Sequence, residues 1–289
     1  MPSVARNFLI HLRLPFQAVL APFFLLGLVS AEAKPAMTWI VAFVLVHAGL
    51  YGGATVFNSF YDKDQGPIGM LKYPPPLTRG MLYLAIGLQV VAILSLTVIR
   101  PFAGALALAM AVLGAAYSHP RIRLKSHLAG GLMTVALGQG GLAVLLGHAI
   151  ALGGVPATRT WLLASAASLI ALGLFPLTQI YQIEEDRSRG DRTMAIVWGY
   201  ATAMGFSGLI TILGLGVLSY ALASRFWIDW YWIWLCGALS WGWGLRIWAR
   251  HFHRLSSYRN HDIAMGIAIT VALPLVAYLV YEIMRGNGL

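Results

Sequence analysis

Apolar runs of about twenty residues with almost no internal charge, joined by short polar loops, fill this chain from end to end. A run of that length matches a helix crossing about 30 Å of hydrocarbon. Lipid offers unpaired backbone groups no partner, so each run must close its hydrogen bonds within itself or within a sealed barrel. The ten-residue alternating pattern of a membrane barrel is missing from the sequence, which leaves helices. Nine segments are long enough: 15–32, 36–57, 80–99, 101–117, 127–150, 160–181, 194–222, 227–249 and 262–284. Composition agrees, since only 10% of the 289 residues are charged, against about 25% in a soluble domain. The expectation is an all-α, polytopic membrane bundle of nine transmembrane helices around a central cavity, a single domain over 1–289.

The net charge of +10 raises nucleic acid as a partner, but the charge is spread through short loops and makes no basic face. Its distribution instead sets topology. Fifteen of the twenty lysines and arginines fall in one alternate set of loops, and the other set holds Lys34, Arg100, Arg159, Arg225 and Arg285. Positive loops stay in the cytoplasm, so the N-terminus, with Arg6 and Arg13, is expected inside and the C-terminus outside. No cleavage site follows the first run, and the N-terminal segment reads as retained. The single cysteine, Cys236, excludes an internal disulfide or a cysteine-ligated metal cluster and reads as a small buried apolar residue. Seven of the ten tryptophans lie between Trp227 and Trp248, which reads as an interfacial aromatic belt. Gly130, Gly131, Gly138, Gly140 and Gly141 make one helix thin enough for close packing.

The ten acidic residues carry most of the functional information. Six of them, Asp62, Asp64, Glu184, Glu185, Asp186 and Asp191, fall in two loops on the same expected side. If the second and sixth helices continue for a turn, Asn58 and Asp62 share a face at i, i+4 spacing, as do Gln182 and Asp186, with Glu185 beside Gln182. Oxygen ligands without histidine or cysteine suit a hard ion such as Mg²⁺, which keeps waters and is completed by substrate phosphates. Helix C-termini add a negative dipole that favours a cation.

Phosphate then needs bases, and the same loops supply Lys63, Lys72, Arg79, Arg187, Arg189 and Arg192. A third loop, Tyr117-Ser-His-Pro-Arg121-Ile-Arg123-Leu-Lys125, adds a phenol and three cations; an arginine fork can hold two phosphate oxygens at once. Arg79, Arg189, Arg250, Arg254 and Arg259 read first as topology-setting loop charges. Asp191 reads as an N-cap of the seventh span, with Arg192 pairing it or a phosphate. The histidines form no site by spacing.

The chain resembles the UbiA superfamily of intramembrane prenyltransferases. That family has nine helices, two aspartate-rich loops written Asn-Asp-x-x-Asp-x-x-x-Asp and Asp-x-x-x-Asp, and a Tyr-x-x-x-Lys element between them. The corresponding stretches here are Asn58-Ser59-Phe60-Tyr61-Asp62-Lys63-Asp64-Gln65-Gly66, Gln182-Ile183-Glu184-Glu185-Asp186 and Tyr117-Ser-His-Pro-Arg121. Gly66 stands at the third acidic position, so either Asp64 substitutes or the site has one ligand fewer. Gln182 replaces the first aspartate of the second motif, and Arg121 replaces the lysine.

The resemblance implies Mg²⁺ held by Asn58, Asp62 and Asp186, with Asp64, Gln182 and Glu185 as further candidates, against a prenyl diphosphate whose charge is balanced by Lys72, Arg121, Arg123, Lys125 and Arg192. Tyr117 and Tyr181 would face the allylic cation, the tail would run among residues such as Phe57, Leu137 and Phe175, and a lipophilic or aromatic acceptor would attack. Two readings compete with this one. In the first, the cation is captured by its own double bonds, as in a membrane terpene cyclase. The second is a transporter or lipid-binding bundle, which would carry its ionisable groups at mid-span rather than at helix ends.

Overall fold

The computed structural model describes residues 4–222 and 229–285. Among them the chain is helical, and the strand-like geometry is one bridge between Ile68 and Leu71. We number the helices α1 (Val4–His11), α2 (Leu14–Ser30), α3 (Met37–Asp62), α4 (Arg79–Ile99), α5 (Pro101–Ser118), α6 (Leu128–Ala151), α7 (Thr158–Ser188), α8 (Met194–Val197), α9 (Tyr200–Leu222), α10 (Asp229–His251) and α11 (Ser257–Met284). Counting α1 with α2 as Val4–Ser30, eight helices among the described residues are long and apolar enough to span a membrane. The expected eighth span, 227–249, is followed by α10 from Asp229 onward and is not one of those eight. Its first two residues lie outside the described residues.

Local chemistry explains where the helices break. Pro15 cannot continue α1, because its ring meets the carbonyl of His11 four residues back, so the chain turns through Arg13 in the left-handed region (φ 47°) and restarts with proline in the first turn of α2. Two helices each carry a π-helical stretch, Leu45–Tyr51 in α3 and Ala136–Gly141 in α6. The second coincides with the glycine-rich run. α7 contains Pro176 and tightens to a 3₁₀ turn at Ile180–Gln182 before resuming as Ile183–Ser188.

α2 is the central helix, packed against α6, α7 and α11, with nearly every residue buried. Lipid supplies no hydrophobic drive between helices, so close backbone contact must do so. A β-carbon at Gly27 would lie 2.0 Å from the Val144 carbonyl oxygen, and one at Gly147 would lie 2.1 Å from that of Phe24. Polar side chains tie the same helices together: His148 Nδ1 lies 3.1 Å from Ser30 Oγ and 3.4 Å from Thr160 Oγ1.

The aromatic belt holds only in part. Trp248 is buried and donates from Nε1 to Asn260 Oδ1 at 2.8 Å, which joins α10 to α11. Trp243 is exposed on the outer face. Trp227 lies outside the described residues, as do the side chains of Trp230, Trp232, Trp234 and Cys236.

Candidate active site

The acidic ends of α3 and α7 meet at one mouth of the bundle. α3 remains helical through Asp62, so Asn58 and Asp62 stand one turn apart and both line a single cavity. Lys63, in the left-handed region (φ 53°), ends the helix and turns Asp64 back onto the same wall. From the other side, the 3₁₀ turn and the short helix after it present Gln182 and Asp186. Asp62, Asp64, Asp186 and Asp191 are buried, with 8%, 9%, 6% and 4% of their surface exposed.

Four buried carboxylates require partners, and guanidinium and ammonium groups supply them. Arg123 clasps Asp191 with both ends of its fork, Nε to Oδ1 at 3.0 Å and Nη2 to Oδ2 at 2.9 Å, and reaches Asp62 Oδ1 at 3.3 Å. Lys125 Nζ bonds to Asp62 Oδ2. Arg189 donates to Asp64 Oδ1 at 2.6 Å and to Asp186 Oδ1 at 2.7 Å, and its Nε lies 3.5 Å from Asp191 Oδ2. Asp62 and Asp186 are thereby linked through Arg123, Asp191 and Arg189 into one network. The hydrogen bonds to Asp191 hold the Arg123 pKa above its usual range. Burial works against the Arg189 charge, but Asp64 and Asp186 outweigh it and raise its pKa. For Lys125 burial wins over Asp62 and lowers the pKa.

Several expected residues take other positions. Glu185 does not face the cavity: its Oε1 accepts from the backbone N–H groups of Gln65 and Gly66, each at 2.8 Å, and so fastens the loop after Asp64. Lys72 pairs with Asp262 in an exposed salt bridge. Arg121 is exposed outside the cavity. Lys125, eight residues beyond Tyr117, does line the cavity, with its Nζ 5.5 Å from the Tyr117 ring centroid. Arg192 is exposed, and its backbone N–H donates to Ser126 O. Asp191 is no N-cap, since Thr193 precedes α8 and Asp191 is held by Arg123. Leu137 is exposed on the outer surface, whereas Phe175 lines the cavity.

Two central cations look like topology-setting loop charges in the sequence. Arg189 is one. The other is Arg13, whose buried guanidinium lines the cavity and donates from Nη2 to Ser59 Oγ at 2.5 Å. Its Nε has no hydrogen-bond partner among the described residues. The only sequence signal for Arg13 was its position two residues before Pro15, where the helix had to break.

The cavity holds about 240 Å³. Its mouth is the charged network, and its deeper wall is largely apolar, with Phe23, Leu50, Met110 and Leu174 beside the rings of Tyr117, Tyr181 and Phe175. Tyr117 packs edge-on against Phe175 with centroids 6.4 Å apart.

The donor set fits a hard divalent cation: carboxylates of Asp62, Asp64 and Asp186 with the side-chain amides of Asn58 and Gln182, all on the cavity wall. Among the described residues no three acidic, histidine or cysteine side chains converge closely enough to cage an ion unaided. That suits an ion held by few carboxylates and completed by phosphate oxygens. Charge balance points the same way. Asp62, Asp64, Asp186 and Asp191 are matched by Arg13, Arg123, Lys125 and Arg189, so a diphosphate entering alone would bring buried negative charge with no free partner.

A sequence model described as the UbiA prenyltransferase family matches residues 19–261. The chloroplastic chlorophyll synthase of Arabidopsis thaliana is 28% identical over 187 residues, covering 61% of this chain. The chain spans about half that relative's length, 48% of it. A UbiA homologue from Archaeoglobus fulgidus, solved bound to GPP and Mg²⁺, superposes with a TM-score of 0.72 at 17% identity, over 96% of this chain and 99% of that one. A digeranylgeranylglyceryl phosphate synthase structure gives 0.65 at 15% identity, over 97% and 99%. At such identities the structural likeness concerns the fold, and the family match over most of the chain carries the assignment: this multi-pass membrane protein belongs to the UbiA prenyltransferase family.

Proposed function

We propose that this chain is a Mg²⁺-dependent intramembrane prenyltransferase, which ionises an allylic isoprenoid diphosphate and passes the prenyl group to an aromatic or other lipophilic acceptor. The observation that carries the proposal is the meeting of two acidic segments, about 120 residues apart in sequence, across the mouth of one largely apolar cavity. A solved family member bound to GPP and Mg²⁺ supports it.

Asn58, Asp62, Asp64, Gln182 and Asp186 would hold the ion, which supplies positive charge to the departing diphosphate. Lys125, Arg123 and Arg189 would turn from their carboxylates toward phosphate oxygens, joined by Arg13 from beside Ser59, and arginine forks bind such oxygens in pairs. Leaving-group charge is then stabilised by cations already gathered at the mouth. The rings of Tyr117 and Tyr181 would face the allylic cation and stabilise it through their quadrupoles. The apolar wall around Phe175 and Leu174 would keep water away until the acceptor attacks. The chain would act as a single domain over 1–289, with the N-terminus and the acidic mouth facing the cytoplasm, as the loop charges favour.

The test is incubation of purified protein with prenyl diphosphates of graded length, with Mg²⁺ or EDTA, and with or without lipophilic acceptors. Products are read by mass spectrometry alongside pyrophosphate release. Wild type should release pyrophosphate only with Mg²⁺ and acceptor, and Asp62→Ala and Asp186→Ala should each lose about 100-fold or more. Equal rates in wild type and variants would overturn the metal site. Cyclic products without acceptor would replace transfer by terpene cyclisation.

A further inference from the structure

The apolar depth of the cavity contains two polar side chains that the donor chemistry leaves unused. Tyr51 lines the cavity and is buried with 7% of its surface exposed, and its hydroxyl has no hydrogen-bond partner among the described residues. Gln139, half-buried, lines the same cavity with its carboxamide.

Their depths agree. Tyr51 lies eleven residues from the mouth end of α3 at Asp62, and Gln139 eleven residues from the mouth end of α6 at Leu128. At 1.5 Å per residue both sit about 16 Å in, near the middle of a hydrocarbon layer about 30 Å thick. Each also belongs to one of the two π-helical stretches, Leu45–Tyr51 and Ala136–Gly141, a distortion that recurs at functional sites. An unpaired phenol in so dry a place is costly, and a hydrocarbon prenyl tail does not relieve it.

We infer that Tyr51 and Gln139 form a mid-membrane subsite for an oxygen atom of the acceptor, so that the acceptor class is a lipophile bearing a hydroxyl or carbonyl group. This rests on the prenyl-transfer reading and names the second substrate by its chemistry. The tyrosine hydroxyl can donate to a carbonyl or accept from a hydroxyl, and the amide can do both. Asn58, seven residues nearer the mouth on α3, belongs to the donor end, so the two substrates meet between these levels.

The experiment measures binding to the full-length protein in detergent by ligand-induced thermal shift and titration. The probes are decyl-1,4-benzohydroquinone, its quinone, and decylbenzene, which has the same hydrocarbon without oxygen. Geranylgeranyl diphosphate with Mg²⁺ serves as a separate probe of the donor end. Wild type should bind the oxygenated probes about tenfold more tightly than decylbenzene, the factor worth one good hydrogen bond. Tyr51→Phe and Gln139→Leu should each remove most of that preference while binding the diphosphate as wild type does, which also reports that they are folded. Equal affinity of wild type for decylbenzene and hydroquinone would overturn the subsite, and so would variants that keep the preference. If wild type instead fails to bind the diphosphate, the donor reading falls while the oxygen preference is still measured on its own.

Discussion

Glu185 Oε1 accepts the backbone N–H of Gly66 at 2.8 Å, and that of Gln65 at the same distance. An acid of the second motif therefore serves the first, by fixing the loop that returns Asp64 to the cavity wall. Glu185→Ala leaves two amides without this partner and should destabilise the protein by about 1–3 kcal/mol, with faster tryptic cleavage after Lys63. Glu185→Gln keeps an acceptor oxygen and should leave the Mg²⁺ concentration for half-maximal pyrophosphate release unchanged. A large rise in that concentration would return Glu185 to the metal.

Arg189 holds three carboxylates from one guanidinium. Its removal leaves Asp64 and Asp186 buried without their cation, so Arg189→Ala should lower stability by about 3 kcal/mol, read as a fall in the detergent melting temperature. Arg189→Lys keeps the charge but loses the planar fork, and it should recover less than half of that stability.

The sequence presents Lys72 as a phosphate-binding base and Arg13 as a topology-setting cation, yet of the two only Arg13 faces the cavity. Arg13→Gln should raise the KM for a prenyl diphosphate about tenfold or more, the scale of one charge-assisted contact. Lys72 is paired with Asp262 at the surface, where such a pair contributes about 0–1 kcal/mol. Lys72→Ala should therefore alter neither KM nor melting temperature measurably.

The α2–α6 crossing leaves no room for a β-carbon at Gly27. Gly27→Ala must force the two backbones apart, at a cost of about 2 kcal/mol, and should lower the melting temperature and the yield of folded protein. Gly87→Ala in α4, where nothing lies within 4 Å of the added carbon, is the control and should be neutral or mildly stabilising.

Most of the architecture was legible in the sequence, for a local reason. The length of each apolar run and the need of its backbone to bond within itself decide for helices one segment at a time, and Asn58 with Asp62 needed only helical spacing to share a face. Whether a charged side chain belongs to the site was not local. Arg123 reaches Asp62 across 61 residues, Arg189 reaches Asp64 across 125, and Lys125 occupies the cavity while Arg121 does not. Such pairings depend on where the loop after α5 folds and on how α7 leans against α3. The break before Pro15 could be read in advance, but that it sends Arg13 inward depends on the helices around it. The chain on its own thus determined a helical membrane bundle with two oxygen-rich corners. Only the packed structure decided which cations close them, because burying a charge makes its partner obligatory and tertiary geometry alone chooses that partner.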